Sequence, residues 1–272
     1  MYDIHCHILP DFDDGASDLK TALEMARIAV ADGITHLACT PHIYPGLFDY
    51  DSSSISSAVE HFRQELEKAN IPLQLGMGAD IQMVSEMVTR LKQGTMPTIN
   101  NSRFMLFEPP HHIYPASFAE SLHNVITNGY TPIITHPERL GWIEQHYDEF
   151  IAAVESGAWL QLTAGSLTGE FGARIQHMAE KLLGDGIVHV LATDAHNLTS
   201  RMPTLAASAR VAAQLLGDAE ADALVRERPA AVWHNKAEAE ISLPPAFEEP
   251  GVLSIKKHQR RGFLGKLLGS RN

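Results

Sequence analysis

The chain of 272 residues has little of what secreted and membrane-spanning proteins require. It contains two cysteines, Cys6 and Cys39, too few for a disulfide framework, so we expect a reducing compartment. No run approaches the ~18 consecutive apolar residues of a membrane-spanning helix. The first residues, MYDIHCHILPDFDDG, carry acids where a secretion signal has Lys or Arg. These absences predict a cytoplasmic protein.

Basic residues are also scarce in most of the chain. There are 21 Lys and Arg against 33 Asp and Glu, a formal net charge of −12 at pH 7. Because a general nucleic-acid binder needs a basic face for phosphates, this balance argues against a nucleic-acid partner. The hydrophobic content of 44% and the charged content of 20% are typical of a globular domain with a buried core. We expect a single domain over residues 1–242.

The composition changes near residue 243. A proline-rich stretch, LPPAFEEPG, precedes a final segment that is rich in Lys and Arg and contains no acid. We interpret residues 243–272 as a linker followed by a basic tail. Leu264, Leu267 and Leu268 beside the basic residues are typical of a membrane-surface segment, whereas the glycines among them disfavour a stable helix. Two interpretations stay open: a flexible soluble tail, or peripheral contact with the inner face of the membrane.

Short apolar runs alternate with longer helix-like segments over residues 1–242. The predicted strands are Tyr2–His5, Thr35–Thr40, Leu73–Ala79, Phe104–Phe107, Thr131–Thr135, Trp159–Thr163 and Val188–Thr193. The predicted helices begin at Ser17 and continue with Ser56–Ala69, Ser117–Thr127, Gln145–Glu155, Ala173–Leu183 and Leu205–Leu216. The alternation predicts parallel strands with crossover helices and, at this length, a closed (β/α) barrel. No glycine-rich phosphate fingerprint follows the first strand, which disfavours a dinucleotide-binding fold.

Histidine is the abundant residue of interest, with 15 copies. His5 and His7 lie two positions apart at the end of the first strand, so both imidazoles point the same way. Other predicted strands end at His42, Asp80, Glu108, His136, Asp194 and His196. Because the carboxyl ends of parallel strands meet on one face, these side chains should converge there. Imidazole and carboxylate ligands predict two or three divalent ions, with Mn, Fe, Zn or Mg all suitable.

Nucleophilic catalysis by cysteine or serine finds no support in the sequence. A cysteine phosphatase needs an arginine six residues after the cysteine, but Phe12 follows Cys6 at that spacing and Pro45 follows Cys39. No G-x-S-x-G nucleophile motif occurs. Cys6 alternates with His5 and His7, so we expect its side chain to face away from them as a packing residue.

Several motifs together resemble the PHP (polymerase and histidinol phosphatase) superfamily. They are HCHILPDFDDG, TPH at 40–42, THPER at 135–139 and ATDAHN at 192–197. The strings LTAGSLTGEFG at 162–172 and DAHNLTSRMP at 194–203 are similar, more narrowly, to the bacterial metal-dependent tyrosine-protein phosphatases of capsule and exopolysaccharide gene clusters. The resemblance covers about residues 1–240. It implies a distorted (β/α)7 TIM-like barrel with a trinuclear, often manganese-loaded, cluster.

The resemblance also implies roles for individual residues. The ligand positions of the family fall on His5, His7, Asp14, His42, Asp80, Glu108, His136, Asp194 and His196. Asp80 is a departure, since the family usually has Gly-x-Glu here and aspartate is one methylene shorter. With Asp194, Arg139 and Arg201 are the predicted catalytic residues, and both arginines should bind the substrate phosphate. Apart from the resemblance, Tyr44 and His111 lie in loops on the same predicted face and are predicted to flank a phosphotyrosine ring.

The implied substrate is the phosphotyrosine-bearing tail of a membrane tyrosine autokinase that controls polysaccharide export. Three other functions remain open at this stage. The first is a PHP phosphoesterase for histidinol phosphate, a nucleotide or a sugar phosphate. The second is a metal-dependent amidohydrolase, which shares H-x-H after the first strand. The third is a catalytically silent metal-binding regulator that docks on the kinase.

Overall fold

A computed structural model of the chain describes residues 1–248, and the strands form its centre. The nine strands found there are β1 (Tyr2–Cys6), β2 (His36–Cys39), β3 (His42–Ile43), β4 (Gln74–Met77), β5 (Asp80–Gln82), β6 (Phe104–Glu108), β7 (Thr131–Thr135), β8 (Trp159–Thr163) and β9 (Val190–Ala192). All neighbouring pairs are parallel. The predicted parallel α/β class is therefore confirmed.

The strands fall into two sheets. One has the order β1-β2-β4, and the other has the order β3-β5-β6-β7-β8-β9. The chain passes directly from the first sheet to the second at Thr40–Pro41 and again at Gly78–Ala79, and it returns to the first sheet over residues 44–73. Proline has no N–H for a ladder, which explains why β2 stops before Pro41. Within residues 1–248 the ladders do not join into one closed sheet, so the predicted closed barrel is not confirmed.

Helices connect the strands and cover the sheets. They are α1 (Leu19–Ala31), α2 (Ser52–Lys68), α3 (Met87–Lys92), α4 (Phe118–Thr127), α5 (Tyr147–Glu155), α6 (Ala164–Leu167), α7 (Ala173–Gly184), α8 (Ala206–Leu216), α9 (Asp218–Asp222), α10 (Arg228–Trp233) and α11 (Pro245–Glu248). A π-helical segment, Ala223–Glu227, joins α9 to α10. Aspartate caps start the first two helices: Asp18 accepts from the N–H of Thr21, and Asp51 accepts from that of Ser54.

The strand interiors are buried on both faces, as expected for parallel strands between helices. All five residues of β6 are buried, and so are the last four of β7 and of β8. The apolar residues form one large buried cluster and a second, smaller one around Trp233. The strands are thereby held rigidly, and their carboxyl ends become fixed positions for side chains.

The C-terminal segment is described only as far as Glu248. The N–H of Ala246 in α11 donates to the carbonyl of Gly186, and Phe247 packs against the large core cluster. The basic tail predicted from Lys256 onward lies outside the described residues, so the domain boundary stays a prediction. Among residues 1–248, no helix is both long and apolar enough to cross a bilayer.

Candidate metal centre

The nine side chains predicted as ligands lie together in one cluster, most of them at or beyond the carboxyl end of a strand. His42 and Asp80 are the first residues of β3 and β5, which follow closely after β2 and β4. The first pair comes from the end of β1, with His5 inside the strand and His7 just after it, and their Nε2 atoms are 3.2 Å apart. Asp194, just after β9, places Oδ1 3.4 Å from each of these nitrogens. Residues almost 190 positions apart in sequence are therefore neighbours, because β1 meets the end of β9: the N–H of Asp194 donates to the carbonyl of His5 at 2.8 Å.

Asp80, at the start of β5, lies at the middle of the cluster. Its Oδ2 is 3.4 Å from Nε2 of His5, 3.6 Å from Nδ1 of His42 and 3.7 Å from Nε2 of His136. Glu108, the last residue of β6, places Oε2 3.4 Å from the same nitrogen of His42. A single buried carboxylate is thus shared by imidazoles from three different strand ends.

Asp14 and His196 extend the cluster towards solvent. Oδ1 of Asp14 is 3.3 Å from Nε2 of His196 and 3.7 Å from Nε2 of His42. Asp14 is the most exposed of the predicted ligands, with 53% of its side chain accessible. The nearby His7 completes a group of three imidazoles and one carboxylate whose candidate ligand atoms all lie within 4.8 Å of one another.

Unsatisfied buried atoms test whether this cluster fits metal ions. Among the described residues, both carboxylate oxygens of Asp80, Nδ1 of His42 and Nε2 of His196 are buried without a hydrogen-bond partner. Leaving such atoms unpaired costs about 1–3 kcal/mol each, so proteins seldom do it without a ligand. The donors are nitrogen and oxygen only, which suits hard or borderline divalent cations. The residues present therefore fit divalent ions, and their ligand roles stay predictions.

Two predicted ligands have strained backbones. His136 has φ 36° and Asp194 has φ 49°, in the left-handed region that residues other than glycine rarely adopt. Each such conformation costs of order 1–3 kcal/mol and persists where surrounding contacts enforce it. At both positions the left-handed turn ends a strand and directs the side chain into the cluster. Backbone strain at predicted ligand positions such as these two is typical of a functional site.

Two outer residues orient the first histidine pair. Asp13 accepts from Nδ1 of His7 at 2.6 Å and from the N–H of His42 at 3.0 Å. Gln161, inside β8, places Oε1 2.8 Å from Nδ1 of His5. These contacts fix which ring nitrogen faces the cluster. The sequence analysis missed both residues, although a glutamine within the apolar strand Trp159–Thr163 was an available signal.

The charges of the cluster influence one another strongly. Burial opposes protonation of His5, but the carboxylates of Asp80 and Asp194 outweigh it and raise its pKa to about 9. Burial also opposes protonation of His42, but Glu108 and Asp80 raise its pKa to about 10. Burial and the charge of Arg139 lower the pKa of His136 to about 4. Without metal, the imidazoles of His5 and His42 are protonated at neutral pH, so metal binding must release these protons.

Both predicted phosphate-binding arginines reach the same carboxylate oxygen. Arg139 donates through Nη1 to Oδ2 of Asp194, and Nη2 of Arg201 lies 2.6 Å from that oxygen. The guanidinium of Arg139 also stacks 4.7 Å from the ring centre of Phe171. Both side chains keep part of their surface accessible. They therefore stand beside the candidate ligands and remain within reach of an incoming anion.

A cavity of about 390 Å³ opens beside the cluster. Tyr44 and His111, the predicted ring-contacting residues, both line it, together with Glu108. Tyr44 is 40% exposed and Ile113, another lining residue, is 76% exposed. The structure thus brings both predicted substrate residues to one cavity that reaches a predicted ligand, and their contact with substrate stays a prediction.

The cysteines lie apart from this chemistry. Cys6 and Cys39 are free and completely buried. Burial raises the pKa of the Cys6 thiol well above its ordinary value, and Sγ of Cys6 lies 3.8 Å from the carbonyl of Ala195. A buried, protonated thiol is inert, in agreement with the expected packing role.

These features define a parallel α/β protein with a candidate histidine–carboxylate metal centre at its strand ends. The chain belongs to the family described as capsular polysaccharide synthesis, CpsB/CapC, which matches residues 1–234. It is 35% identical over 201 residues to tyrosine-protein phosphatase YwqE of Bacillus subtilis, covering 74% of this chain and 79% of that protein. It is 28% identical over 240 residues to tyrosine-protein phosphatase CpsB of Streptococcus agalactiae, covering 86% and 99%.

Solved structures are similar in fold. One from work on YwqE of Bacillus subtilis and CpsB of Streptococcus pneumoniae, described as unique metal-dependent tyrosine phosphatases, aligns with a TM-score of 0.85 at 31% identity. The alignment covers 90% of this chain and 98% of that one. A β-aspartyl dipeptidase from Fervidobacterium islandicum aligns with a TM-score of 0.51 at 15% identity, covering 85% and 72%. That second likeness extends to the fold alone.

Proposed function

We propose that the chain is a metal-dependent protein-tyrosine phosphatase that acts in capsular or exopolysaccharide synthesis. The observation that carries the proposal is the cluster of nine predicted ligands beside two arginines. Several ligand atoms in it are buried without a hydrogen-bond partner in the part of the chain that the structure describes. Membership of the CpsB/CapC family and the names of the phosphatase relatives support the same activity. The relatives also favour it over the amidohydrolase alternative.

Two or three divalent ions, with manganese preferred, are the proposed cofactors. Four overlapping groups of candidate ligands supply the positions, including His5 with His7 and Asp80, and His42 with Asp80 and Glu108. When bound, the ions supply positive charge for phosphate oxygens and lower the pKa of water. The protein contributes the fixed placement of the ligands, because Asp13 and Gln161 hold the ring nitrogens of the first pair.

The proposed catalytic residues outside the ligand set are Arg139 and Arg201, acting with Asp194. Asp194 holds both guanidinium groups at one oxygen, so they are already oriented before substrate arrives. A phosphate entering from the cavity meets two planar donors that suit its oxygens. Tyr44 and His111 contact the substrate from the cavity wall. Tyrosine leaves as a phenolate with an ordinary pKa of ~10, which limits the need for a strong general acid.

The substrate in this proposal is a phosphotyrosine protein, specifically the membrane tyrosine autokinase of polysaccharide export. The enzyme works in the cytoplasm, and residues 251–272 bring it to the inner face of the membrane. Deleting 251–272 tests this last point, since the share of protein in the membrane fraction should fall. An unchanged distribution would contradict tail-mediated contact without touching the proposed activity.

We also propose that the two sheets together form the wall of a distorted (β/α)7 barrel. The support is the pair of chain crossings at Thr40–Pro41 and Gly78–Ala79, with a parallel bridge from Cys6 to Ala195 on the other side. Hydrogen exchange would test it. Slow exchange of the N–H of His7, which donates to Ala195 at 2.9 Å, is expected, whereas rapid exchange would contradict a joined wall.

The central experiment is a phosphotyrosine-peptide assay on metal-stripped protein with Mn, Mg, Fe, Zn, Co or Cu added back. We expect no hydrolysis without metal, recovery with Mn, and loss in His136→Ala. Parallel assays with histidinol phosphate, a nucleotide and a sugar phosphate separate the phosphoesterase alternatives. Metal binding without hydrolysis of any substrate would instead favour the silent regulator.

The arginines allow a second test. Arg201→Lys keeps the charge but removes the paired donors, so kcat/KM for the phosphopeptide should fall by roughly 10–100-fold. Arg174→Lys is the matched control, because Arg174 pairs at the surface with Glu144 and lies outside the cluster. Equal activity of the two variants would contradict a phosphate-binding role for Arg201.

A further inference from the structure

Besides His42 and His136, a third imidazole contacts Glu108 at the outer edge of the cluster: that of His111. Nε2 of His111 is 3.2 Å from Oε1 of Glu108, and Nε2 of His136 is 3.8 Å from the same oxygen. Donor atoms that share one ion at a bond length of about 2.1 Å stand roughly 3.0–3.5 Å apart. The three candidate ligand atoms lie within 4.8 Å of one another, so a small shift brings them around one cation.

The loop that carries His111 is fixed in place. The carbonyl of His111 accepts from the N–H of Gly141 at 2.8 Å, and the preceding Pro110 accepts from the indole of Trp142 at 2.8 Å. The imidazole is therefore presented to Glu108 by an anchored loop, with its ring centre 4.8 Å from that of His136.

Glu108 connects this group with the rest of the cluster. Its second oxygen, Oε2, is 3.4 Å from Nδ1 of His42, which is buried without a hydrogen-bond partner among the described residues. The Glu108 carboxylate thus faces imidazoles on both of its oxygens. His111 and Glu108 also line the 390 Å³ cavity, so an ion on the His111 side would face the cavity directly.

We infer that His111 is an additional ligand for the divalent cation that Glu108 and His136 would hold at the cavity wall. His111 is then a metal ligand, and it contacts substrate through the ion. The inference rests on the metal-dependent function proposed above. It adds a ligand that the resemblance to known phosphatases does not assign.

The first test is calorimetric titration of the metal-stripped full chain with Mn²⁺. His111→Ala should lose one binding event, or weaken one event by at least about 10–100-fold, while the remaining events match the wild type. His112→Ala is the matched control, because it removes an exposed neighbouring imidazole on the same loop. Equal titrations of wild type and His111→Ala would overturn the inference.

The second test locates the ion directly. Crystals of the full chain grown with Mn²⁺ should give an anomalous peak within about 2.3 Å of Nε2 of His111. Peaks only at more than about 3 Å would show that His111 merely hydrogen-bonds Glu108, and the inference would fail. The titration reports how much metal binds, the anomalous peak reports where it binds, and neither depends on catalytic activity. A chain that binds Mn²⁺ through His111 but hydrolyses no phosphotyrosine would therefore sink the proposed function and leave this site standing.

Discussion

Buried charged side chains at the two ends of the parallel strands differ in how completely they are hydrogen-bonded. On the side of the candidate metal centre, Asp80 is buried and neither of its oxygens is hydrogen-bonded within residues 1–248, although Oδ2 faces three imidazoles. At the opposite end, Arg228 is buried completely, yet it pairs with both oxygens of Glu220 at 2.6 and 2.8 Å. It also donates to the carbonyls of His189, Ser242 and Leu243. The Asp80 carboxylate can therefore still accept a ligand, whereas the donors of Arg228 are already used within the protein.

The same contrast separates two buried histidines. His5 faces carboxylates that raise its pKa to about 9. His189 is also buried, but burial and the charge of Arg228 lower its pKa well below the ordinary value. Its ring stacks on Trp159 and accepts from the N–H of Leu160. A buried histidine is therefore structural or functional according to what its neighbours leave unsatisfied, and burial by itself does not decide.

The largest expected effect falls on the unsatisfied end. Asp194→Asn removes the charge that faces His5, His7 and both arginines, so kcat/KM for a phosphotyrosine peptide should fall at least about 10³-fold, or about 4 kcal/mol. Asp185→Asn is the control, since Asp185 binds Tyr147 and Lys181 far from the cluster. Activity of Asp194→Asn within tenfold of wild type would contradict a catalytic role for this end of the strands.

The satisfied end should respond in stability instead. Arg228→Ala leaves the Glu220 carboxylate and three carbonyls without their donor, so the free energy of unfolding should drop by about 3–5 kcal/mol. Denaturant unfolding of the metal-stripped protein measures it. Arg226→Ala, which breaks an exposed pair with Asp222, should cost far less. Comparable losses in the two variants would contradict a structural role for the buried arginine.

An intermediate effect is expected at the outer layer of the metal centre. Asp13→Asn weakens the acceptor that holds Nδ1 of His7, so affinity for Mn²⁺ should fall by about 10–100-fold. Titration of the metal-stripped protein measures this. Asp11→Asn is a close control, because Asp11 is exposed and asparagine tolerates its positive φ. Indistinguishable affinities would show that Asp13 does not orient the ligand.

The smallest effect concerns the cysteines. Cys6→Ala removes a buried sulfur beside Ala195 and should lower the free energy of unfolding by about 1 kcal/mol. The kcat/KM of the folded variant should match the wild type, because the thiol takes no part in the reaction. Alkylation that abolished activity in a protein still carrying its metal would contradict this and favour cysteine chemistry.

Much of the architecture could be predicted from hydrophobic pattern. The bounds predicted for Thr131–Thr135 and Trp159–Thr163 coincide with those observed, since continuous apolar or β-branched runs mark strands buried on both faces. The short strands β3 and β5 were missed, because strands of two and three residues are too short to show a periodic pattern. The continuous helical stretch from Asp218 to Trp233 was missed as well. It was not singled out from the apolar pattern.

The candidate site divides in the same way. The sequence by itself determined which residues stand at strand ends, because alternating strands and helices put those ends on one face. Only the tertiary structure decided that Asp13 orients His7 while the adjacent Asp14 faces the cluster. The Asp13 carboxylate contacts Nδ1 of His7, whereas that of Asp14 contacts Nε2 of His196. The tertiary structure likewise decided that the pKa of His5 is raised and that of His189 is lowered, although both are buried. Partners from distant parts of the chain set burial and charge, and no local pattern records them.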